Sequence, residues 1–303
     1  MRRSRYLATM AAVVTLLTVS IPVTADAASN GRIAFARFGG HARSSQIFTM
    51  LPDGSDVTRL THTRANNGSP AWSADGSRIA FVRLGRDGTG EKLMTMDAAG
   101  DNGATVFHDG RSIERPDWFA DGTHLLFCLR GPTRSRLFVV GTDGSSLTQI
   151  GPNRSCDAAL SPDGSKIVFV RFNKALRHPA VWVMNTDGTG LTQLTTDDPS
   201  FAPAWSPDGT RISFIGRHRR GDNEAFVMDA DGTNAARLTD NRRVVYGPTA
   251  WSPDGTVITF LRTVYWDPYS STDVIAIQPD GSNLTNLTDS PGVWDDGGDW
   301  QAI

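Results

Sequence analysis

Short runs in which apolar and polar residues alternate recur along the whole chain, and each run follows the same kind of turn. Ile212 and Phe214, for example, stand two residues apart after the turn at 205–209. Such alternation predicts a β-strand with one buried face. The equivalent pairs are Ile79/Phe81, Leu125/Phe127, Ile167/Phe169, Ile212/Phe214 and Ile258/Phe260.

The W-S-P-D-G-like turn before each run returns with a period of about 45 residues, which is the range of propeller repeats. Its copies occupy 72–76, 118–122, 160–164, 205–209 and 251–255. Within each period a second, Asp-Gly-containing turn separates two further short segments. Each period therefore predicts four short antiparallel strands.

The two ends of the repeat region supply the parts of one more unit. Residues 30–35 resemble a second strand without its first, and residues 299–301 resemble a first strand without its second. Pairing these ends would close a ring and shelter the strand edges. We therefore predict an all-β fold, a six-bladed β-propeller of four-stranded antiparallel blades, closed by pairing of the C-terminal strand with the N-terminal strands.

Two consensus patterns carry a family resemblance. The segments 203–214 (P-x-W-S-x-D-G-x-x-I-x-F) and 228–239 (M-x-x-D-G, then L-T) resemble the WD40-like, or PD40, repeat of the TolB propeller family. The same repeat resembles periplasmic scaffolds, gating domains of prolyl oligopeptidase-like enzymes and some polysaccharide lyases, so it indicates fold more than function. TolB is implied to carry an additional N-terminal α/β domain, for which residues 28–30 leave no room. This difference argues against a Tol-system role.

The N-terminal segment has the three parts of a secretory signal peptide: basic residues at 2, 3 and 5, an apolar run over 7–23, and Ala25-Asp26-Ala27. The run is short for a membrane anchor and contains Ser and Thr. We predict a signal peptide at 1–27 and one propeller domain at 28–303. The mature protein is then secreted, or periplasmic in the cell envelope, with no membrane span.

Composition adds little to this picture. The formal net charge of −2 does not predict a nucleic-acid partner. Cys128 and Cys156 could form a disulfide in an oxidising compartment, or Cys128 could be a small buried residue. The sequence leaves these alternatives open.

The repeated Asp and Trp residues are interpreted as structural. In 206–209, Pro, Asp and Gly suit successive positions of a tight turn. A metal-binding ring of the equivalent aspartates is disfavoured because the turns belong to separate blades. The Trp column at 72, 118, 205, 251 and 300 is predicted to pack between blades.

The irregular loops share the face opposite the Asp-Gly hairpins, and such loops usually carry binding residues. The loops between second and third strands hold basic residues, namely Arg43, Arg86, Lys92, Arg134, Lys174, Arg177, Arg217, Arg219 and Arg220. The loops that lead into the first strands hold acidic residues, namely Asp109, Glu114, Asp117, Asp157, Asp197, Asp198, Asp295, Asp296 and Asp299. We predict a basic rim around an acidic channel mouth, the alternative being ordinary loop polarity.

Aromatic residues that belong to no repeat column concentrate in the last two periods, close to arginines. Tyr, Trp and Arg are typical of binding hot spots. The predicted ligand-binding patch consists of Tyr246, Trp266, Tyr269, Trp294, Arg219, Arg220, Arg242 and Arg243. The alternative is that the loop at 264–273 packs on its neighbours.

The functional prediction is an exported, monomeric, non-enzymatic scaffold that binds a protein or peptide through its variable loops, with an oligosaccharide as another ligand. The alternative is a polysaccharide lyase-like enzyme with a His/Asp site at the channel mouth, since loops hold His41, His62, His108, His178 and His218. A purely structural envelope protein is a third hypothesis. No cofactor is predicted; Asp295, Asp296 and Asp299 could bind Ca²⁺, although a metal-free acidic loop is favoured.

Overall fold

The computed structural model describes residues 30–39, 44–85, 90–131, 134–173, 177–217, 223–240, 244–265, 270–290 and 292–302. The predicted signal peptide at 1–27 and its cleavage site lie outside these ranges. The described residues form 24 β-strands. In order these are β1 (Asn30–Gly39), β2 (Gln46–Met50), β3 (Thr58–Arg59), β4 (Asn67–Trp72), β5 (Arg78–Leu84), β6 (Glu91–Asp97), β7 (Ala104–Phe107), β8 (Ser112–Trp118), β9 (His124–Arg130), β10 (Ser135–Gly141), β11 (Thr148–Ile150), β12 (Ser155–Leu160), β13 (Lys166–Asn173), β14 (His178–Asn185), β15 (Thr192–Gln193), β16 (Ser200–Trp205), β17 (Arg211–Arg217), β18 (Asn223–Asp229), β19 (Ala236–Arg237), β20 (Val244–Trp251), β21 (Ile258–Tyr265), β22 (Ser270–Ile277), β23 (Thr285–Asn286) and β24 (Val293–Ala302).

These strands build an all-β propeller. Four separate sheets each contain four antiparallel strands in chain order: β4–β7, β8–β11, β12–β15 and β16–β19. The remaining strands form one eight-stranded sheet, in the order β20-β21-β22-β24-β1-β2-β3, with β23 paired to β22.

The prediction of six separate four-stranded blades is wrong. A parallel pairing of Thr272 with Trp294 joins β22 to β24, so that strands on both sides belong to the same eight-stranded sheet. The physical cause is the length of β24, which has 10 residues where β4 has 6. Its extra N-terminal residues run beside β22, a contact that the repeat pattern does not encode.

Closure by the two ends of the repeat region is confirmed. β24 pairs antiparallel with β1, with Ile33 opposite Trp300 and Asn30 opposite Ala302. The Arg32 backbone N–H also donates to Gln301 Oε1 at 3.2 Å. The ring is thus closed by main-chain pairing as well as by side-chain packing.

The hydrophobic core lies between neighbouring sheets. Phe81, Phe127, Phe169 and Phe260, the predicted inward-facing members of their strands, are almost completely buried. The predicted packing role of the Trp column is confirmed, since all five indoles are buried. Trp118 shows the geometry: its Nε1 donates to the backbone oxygen of Ala71 in the adjacent sheet at 3.0 Å.

The predicted turn role of the repeated aspartates is confirmed as well. Asp208 Oδ1 accepts from Ser206 Oγ at 2.5 Å and from the Thr210 N–H at 3.0 Å, while Oδ2 accepts from Thr210 Oγ1. Gly209 follows with a φ of 70°, which suits glycine far better than other residues.

The two cysteines form a disulfide. Cys128 lies in β9 and Cys156 in β12, so the bond joins two separate sheets that share no backbone hydrogen-bond ladder. The Cys156 sulfur also lies 3.1 Å from Glu114 Oε2. The covalent link is therefore next to a carboxylate that lines the centre of the molecule.

Candidate functional site

The first strand of each repeat unit surrounds a central cavity of about 420 Å³. Neighbouring inner strands contact one another in the ring order β24, β4, β8, β12, β16, β20 and back to β24. The cavity is lined by 69–71, 114–117, 157–160, 203–205, 248–251 and 296–299. Its wall is therefore made of equivalent positions from all parts of the repeat.

A β-bulge interrupts these inner strands where they face the cavity. The pairing register shifts between Gly68 and Ala71 in β4 and between Glu114 and Asp117 in β8, with further shifts in β12, β16 and β20. Bulges change the direction of side chains and are frequent beside functional sites. Positive φ values mark the bulges at Ser69, Arg115, Asp157 and Ala202.

Carboxylates dominate the charge of the cavity wall. Five acidic residues but a single cation, Arg115, are present among the described lining residues. Arg115 Nη1 lies 3.3 Å from Asp157 Oδ1, so the arginine forms an ion pair with one of the five acids. The acidic lining residues are Glu114, Asp117, Asp157, Asp296 and Asp299.

Asp117 and Asp299 occupy a wall position at which other inner strands have alanine. Asp117 Oδ2 accepts the Leu160 N–H at 2.7 Å, and Asp299 Oδ2 accepts the Trp72 N–H at 2.6 Å. Each carboxylate thus binds the backbone of the next inner strand. Burial raises the pKa of Asp117 to about 6. Burial, reinforced by the negative charge of Asp117, raises the pKa of Asp299 to about 7.

Burial also raises the pKa values of Glu114 and Asp296. Glu114 accepts hydrogen bonds from the Arg130 guanidinium, at 2.9 Å from Nε and 3.0 Å from Nη2. Part of the Asp296 surface is exposed to the cavity. Its pKa is still raised, because the surrounding protein displaces much of the bulk water. The negative charge of the site therefore increases through the neutral pH range.

The three acids considered for Ca²⁺ lie on two faces of β24, because a β-bulge between Asp296 and Asp299 brings these two to the same side. Asp295 points away from the cavity and accepts from Arg37 Nε at 2.7 Å and Nη2 at 2.9 Å. Asp296 and Asp299 line the cavity. In the described part of the chain, only Glu114 with the two cysteines groups within ligand distance, and the disulfide engages both sulfurs. Calcium binding stays a prediction.

Most of the predicted aromatic and arginine patch lies outside the described residues, namely Trp266, Tyr269, Arg219, Arg220, Arg242 and Arg243. Tyr246 belongs to β20, where its backbone pairs with Arg262, but its side chain is outside the description. Trp294 is exposed and lies opposite Phe38 across the closing pair of strands. The patch as a whole stays a prediction.

The structure brings together five of the acids assigned to a channel mouth, all of which line the cavity. Asp109 instead pairs with Arg111 beside it. Arg115 was not identified from the sequence. Its signal is a basic residue three positions before the Trp column, where the two neighbouring periods have Ser69 and Asp157.

Comparison with protein families supports a TolB-like propeller family. Residues 154–268 match the family model described as PD40, the TolB beta propeller domain. The described residues contain no helix with the length and hydropathy needed to cross a membrane.

Curated relatives match only part of this chain. A protein TolB homolog from Chlorobium luteolum is 31% identical over 112 residues, which cover 35% of this chain and 24% of that protein. The Tol-Pal system protein TolB from Anaeromyxobacter dehalogenans is 32% identical, covering 40% and 27% respectively. The uncharacterized peptidase YuxL from Bacillus subtilis is 30% identical, covering 28% and 14%. The chain thus matches about a quarter of the length of its TolB relatives.

Solved structures agree on the fold. TolB from Acinetobacter baumannii superposes with a TM-score of 0.75 at 17% identity, covering 89% of this chain and 66% of that one. A putative TolB from Agrobacterium tumefaciens gives a TM-score of 0.65 at 19% identity, covering 90% and 98%. Hydrazine synthase from Kuenenia stuttgartiensis also reaches 0.75, at 15% identity, covering 91% and 47%. Such distant matches with differently named proteins carry the fold and not a function.

Proposed function

We propose that this protein is an exported, non-enzymatic binding propeller whose partner is a protein or peptide that approaches the variable-loop face and its acidic cavity. The observation that carries the proposal is the cavity wall, where five carboxylates accompany one arginine. A concave site with charge of one sign attracts ligands of the opposite sign. The partner should therefore present lysine or arginine side chains to the cavity.

The names of two relatives support a non-enzymatic role, because neither is the name of an enzyme. Both are TolB proteins, one named as a component of the Tol-Pal system. The peptidase relative shares only 14% of its own length with this chain. The described cavity-lining residues include hydroxyls, such as Ser69 and Thr249, but no histidine that could act as their base.

The described histidines lie away from the central cavity in which the lyase hypothesis places a His/Asp site. His62 lines a separate pocket with Arg83 and Asp101, and His124 Nδ1 lies 3.5 Å from Asp121 Oδ2. His108 Nδ1 lies 3.0 Å from the backbone oxygen of Glu91, and His178 Nδ1 lies 2.9 Å from that of Pro179. Neither residue lines the central cavity. We therefore keep binding as the proposed function, with export directed by the signal peptide at 1–27 and with the mature chain a monomer.

A crosslinking capture from the envelope fraction of the source organism tests the proposal. The wild-type protein should retain a partner that Asp157→Asn/Asp296→Asn captures at least several-fold less well, because two cavity charges are lost. Asp101→Asn is a single-charge control, since Asp101 is exposed after the turn at 97–100 and does not line the cavity. Equal capture by all three proteins would refute a role for the cavity.

A further inference from the structure

A groove of about 510 Å³ extends outward from the cavity, between the β1–β2 region and strands β4 to β8. It shares Ser69, Glu114 and Asp296 with the cavity wall, so the two spaces adjoin. A volume of this size is typical of ligand pockets. The groove has an apolar part and an acidic part.

Phe38, Val82, Leu84 and Ile113 form the apolar part. Phe38 is 46% exposed and Leu84 is 43% exposed, which is unusual for large apolar side chains in the strands of this protein. Trp294, 41% exposed, lies directly across from Phe38 on β24 and extends the same apolar surface beyond the groove. Contiguous exposed apolar residues with polar neighbours are typical of interaction sites.

Glu91, Glu114 and Asp296 form the acidic part. Glu91 Oε2 accepts the Ile113 N–H at 2.6 Å, which holds this carboxylate at the groove. The described lining residues include no lysine or arginine. Arg130 binds Glu114 and Arg115 acts on Asp296 from the adjoining cavity, so two cations accompany the three carboxylates. The groove is therefore complementary to a cation.

Gly68 forms an open part of the floor. A Cβ atom at this position would meet only Asp296 Oδ2, at 3.7 Å, and its backbone conformation is one that other residues adopt. The glycine leaves space beside the Asp296 carboxylate. A side chain introduced there would enter the groove without displacing the backbone.

We propose that this groove binds an extended segment of the partner protein, in which a basic side chain lies among the carboxylates and apolar neighbours cover Phe38 and Leu84. The inference rests on the proposed binding function and specifies the chemistry of the partner. The apolar contacts with Phe38 and Leu84 would bury surface area. The ion pair between the basic side chain and the carboxylates would make binding specific for segments that carry a positive charge.

Fluorescence anisotropy with defined probes tests the proposal on the full mature chain. The probes are two labelled octapeptides, one alternating leucine with arginine and the other alternating leucine with glutamate. The leucine–arginine peptide should bind, and added salt should weaken its binding. The leucine–glutamate peptide should not bind.

Gly68→Leu should weaken binding of the leucine–arginine peptide by roughly tenfold or more, since it fills the groove without changing any charge. Gly68→Ala should leave binding close to wild type. The matched control is Gly103→Leu, because a Cβ at Gly103 would meet no atom within 4 Å and that residue, which precedes β7, does not line the groove. Gly103→Leu should bind like wild type.

Should Gly68→Leu fail to fold, Glu91→Gln/Asp296→Asn provides a second test and should also weaken binding several-fold. Equal binding of both peptides, or unchanged binding by Gly68→Leu, would overturn the proposal. So would dimerisation of the wild type that Gly68→Leu abolishes, because the groove would then hold a second copy. Partner capture that survives in Gly68→Leu would reject the groove while leaving the proposed binding function intact.

Discussion

The aspartates of the hairpin turns and those of the cavity wall are the same chemical group under opposite influences. Hydrogen bonds from Ser73 and Ser77 lower the pKa of Asp75 to about 2. Burial raises the pKa of Asp299 to about 7. Each turn carboxylate receives several local donors while facing solvent, whereas Asp299 receives the Trp72 N–H inside a narrow cavity.

The difference shows which positions maintain the fold and which are free for function. A turn aspartate recurs with the hairpin, because its oxygens accept hydrogen bonds that stabilise the chain reversal. Asp117 and Asp299 stand where Ala71 and Ala204 are sufficient elsewhere. The ionisable groups of the cavity therefore lie at wall positions that differ from the repeat consensus.

The largest expected effect on stability comes from the core residue next to Asp299 on the closing strand β24. Trp300→Ala should lower the free energy of unfolding by about 3–5 kcal/mol, the usual range for deleting a large buried aromatic side chain. The indole is buried, and its Nε1 donates to Thr259 Oγ1 at 3.0 Å. Urea unfolding measures the change.

Trp294→Ala is the matched control, since it removes the same side chain from an exposed position of the same strand. It should change stability by no more than about 0.5 kcal/mol. Comparable losses in the two variants would mean that burial at the closing strand does not hold the ring.

A somewhat smaller loss of stability is expected when the disulfide next to Glu114 is removed. The double variant Cys128→Ala/Cys156→Ala should be less stable by about 2–4 kcal/mol, because the bond closes a loop with a sequence separation of 28. Guanidinium unfolding of the variant beside the wild type gives the value. Stability equal to wild type would show that the two sheets are held together by packing alone.

The pH dependence of stability should separate the two kinds of aspartate. Asp117 and Asp299, with pKa values of about 6 and about 7 against the ordinary 3.8, take up protons in the folded state. The free energy of unfolding should therefore fall as the pH rises from about 4 to about 7. Asp75 and Asp163, with pKa values of about 2, should instead cause a loss as the pH falls from about 4 to about 2.

Asp117→Asn/Asp299→Asn should flatten the decline between pH 4 and pH 7, because the amide oxygen can accept the same N–H without a charge. Part of the decline should remain in the double variant, because the pKa values of Glu114 and Asp296 are also raised. The loss below pH 4 should be unchanged, since the turns are intact. Thermal unfolding across this range measures stability in both pH intervals. An unchanged decline between pH 4 and pH 7 in the double variant would contradict the role of burial at these two residues.

The smallest effect is expected in the turns. Asp208→Ala should cost about 1 kcal/mol, the usual net value of one intramolecular hydrogen bond, because water can satisfy most of the donors left at this exposed turn. Asp101→Ala, at an exposed hairpin residue, should be neutral. A chemical denaturation series with both variants checks the difference, and equal stability would mean that backbone geometry alone maintains the turn.

The repeat predicted most of the fold because its information is local. Alternating residues and Asp-Gly turns specify strands and hairpins, and the half-units at 30–35 and 299–301 predicted the closing pair correctly. The number of separate sheets was wrong because it depends on a parallel contact between Thr272 and Trp294. This contact joins strands of two different repeat units, and the repeat pattern does not encode it.

The candidate site was predictable in part. An acidic mouth followed from charged residues in the segments before the Trp column. The arrangement of Arg115 beside Asp157 depends on bulges that turn both side chains inward, and a single strand pattern does not show which residue a bulge will redirect. The burial of Asp299 depends on β4, which is more than 200 positions away in sequence.

The pairing of Asn30 with Ala302 has a consequence for the order of the strands along the chain. Residues paired across antiparallel strands have Cα atoms about 5 Å apart, so a short linker could join them. New ends could then be opened in an exposed hairpin, such as the one at Gly164, where an added side-chain atom would meet nothing within 4 Å. A circularly permuted chain would keep every strand pair of the ring, so the fold should not depend on which hairpin contains the chain ends.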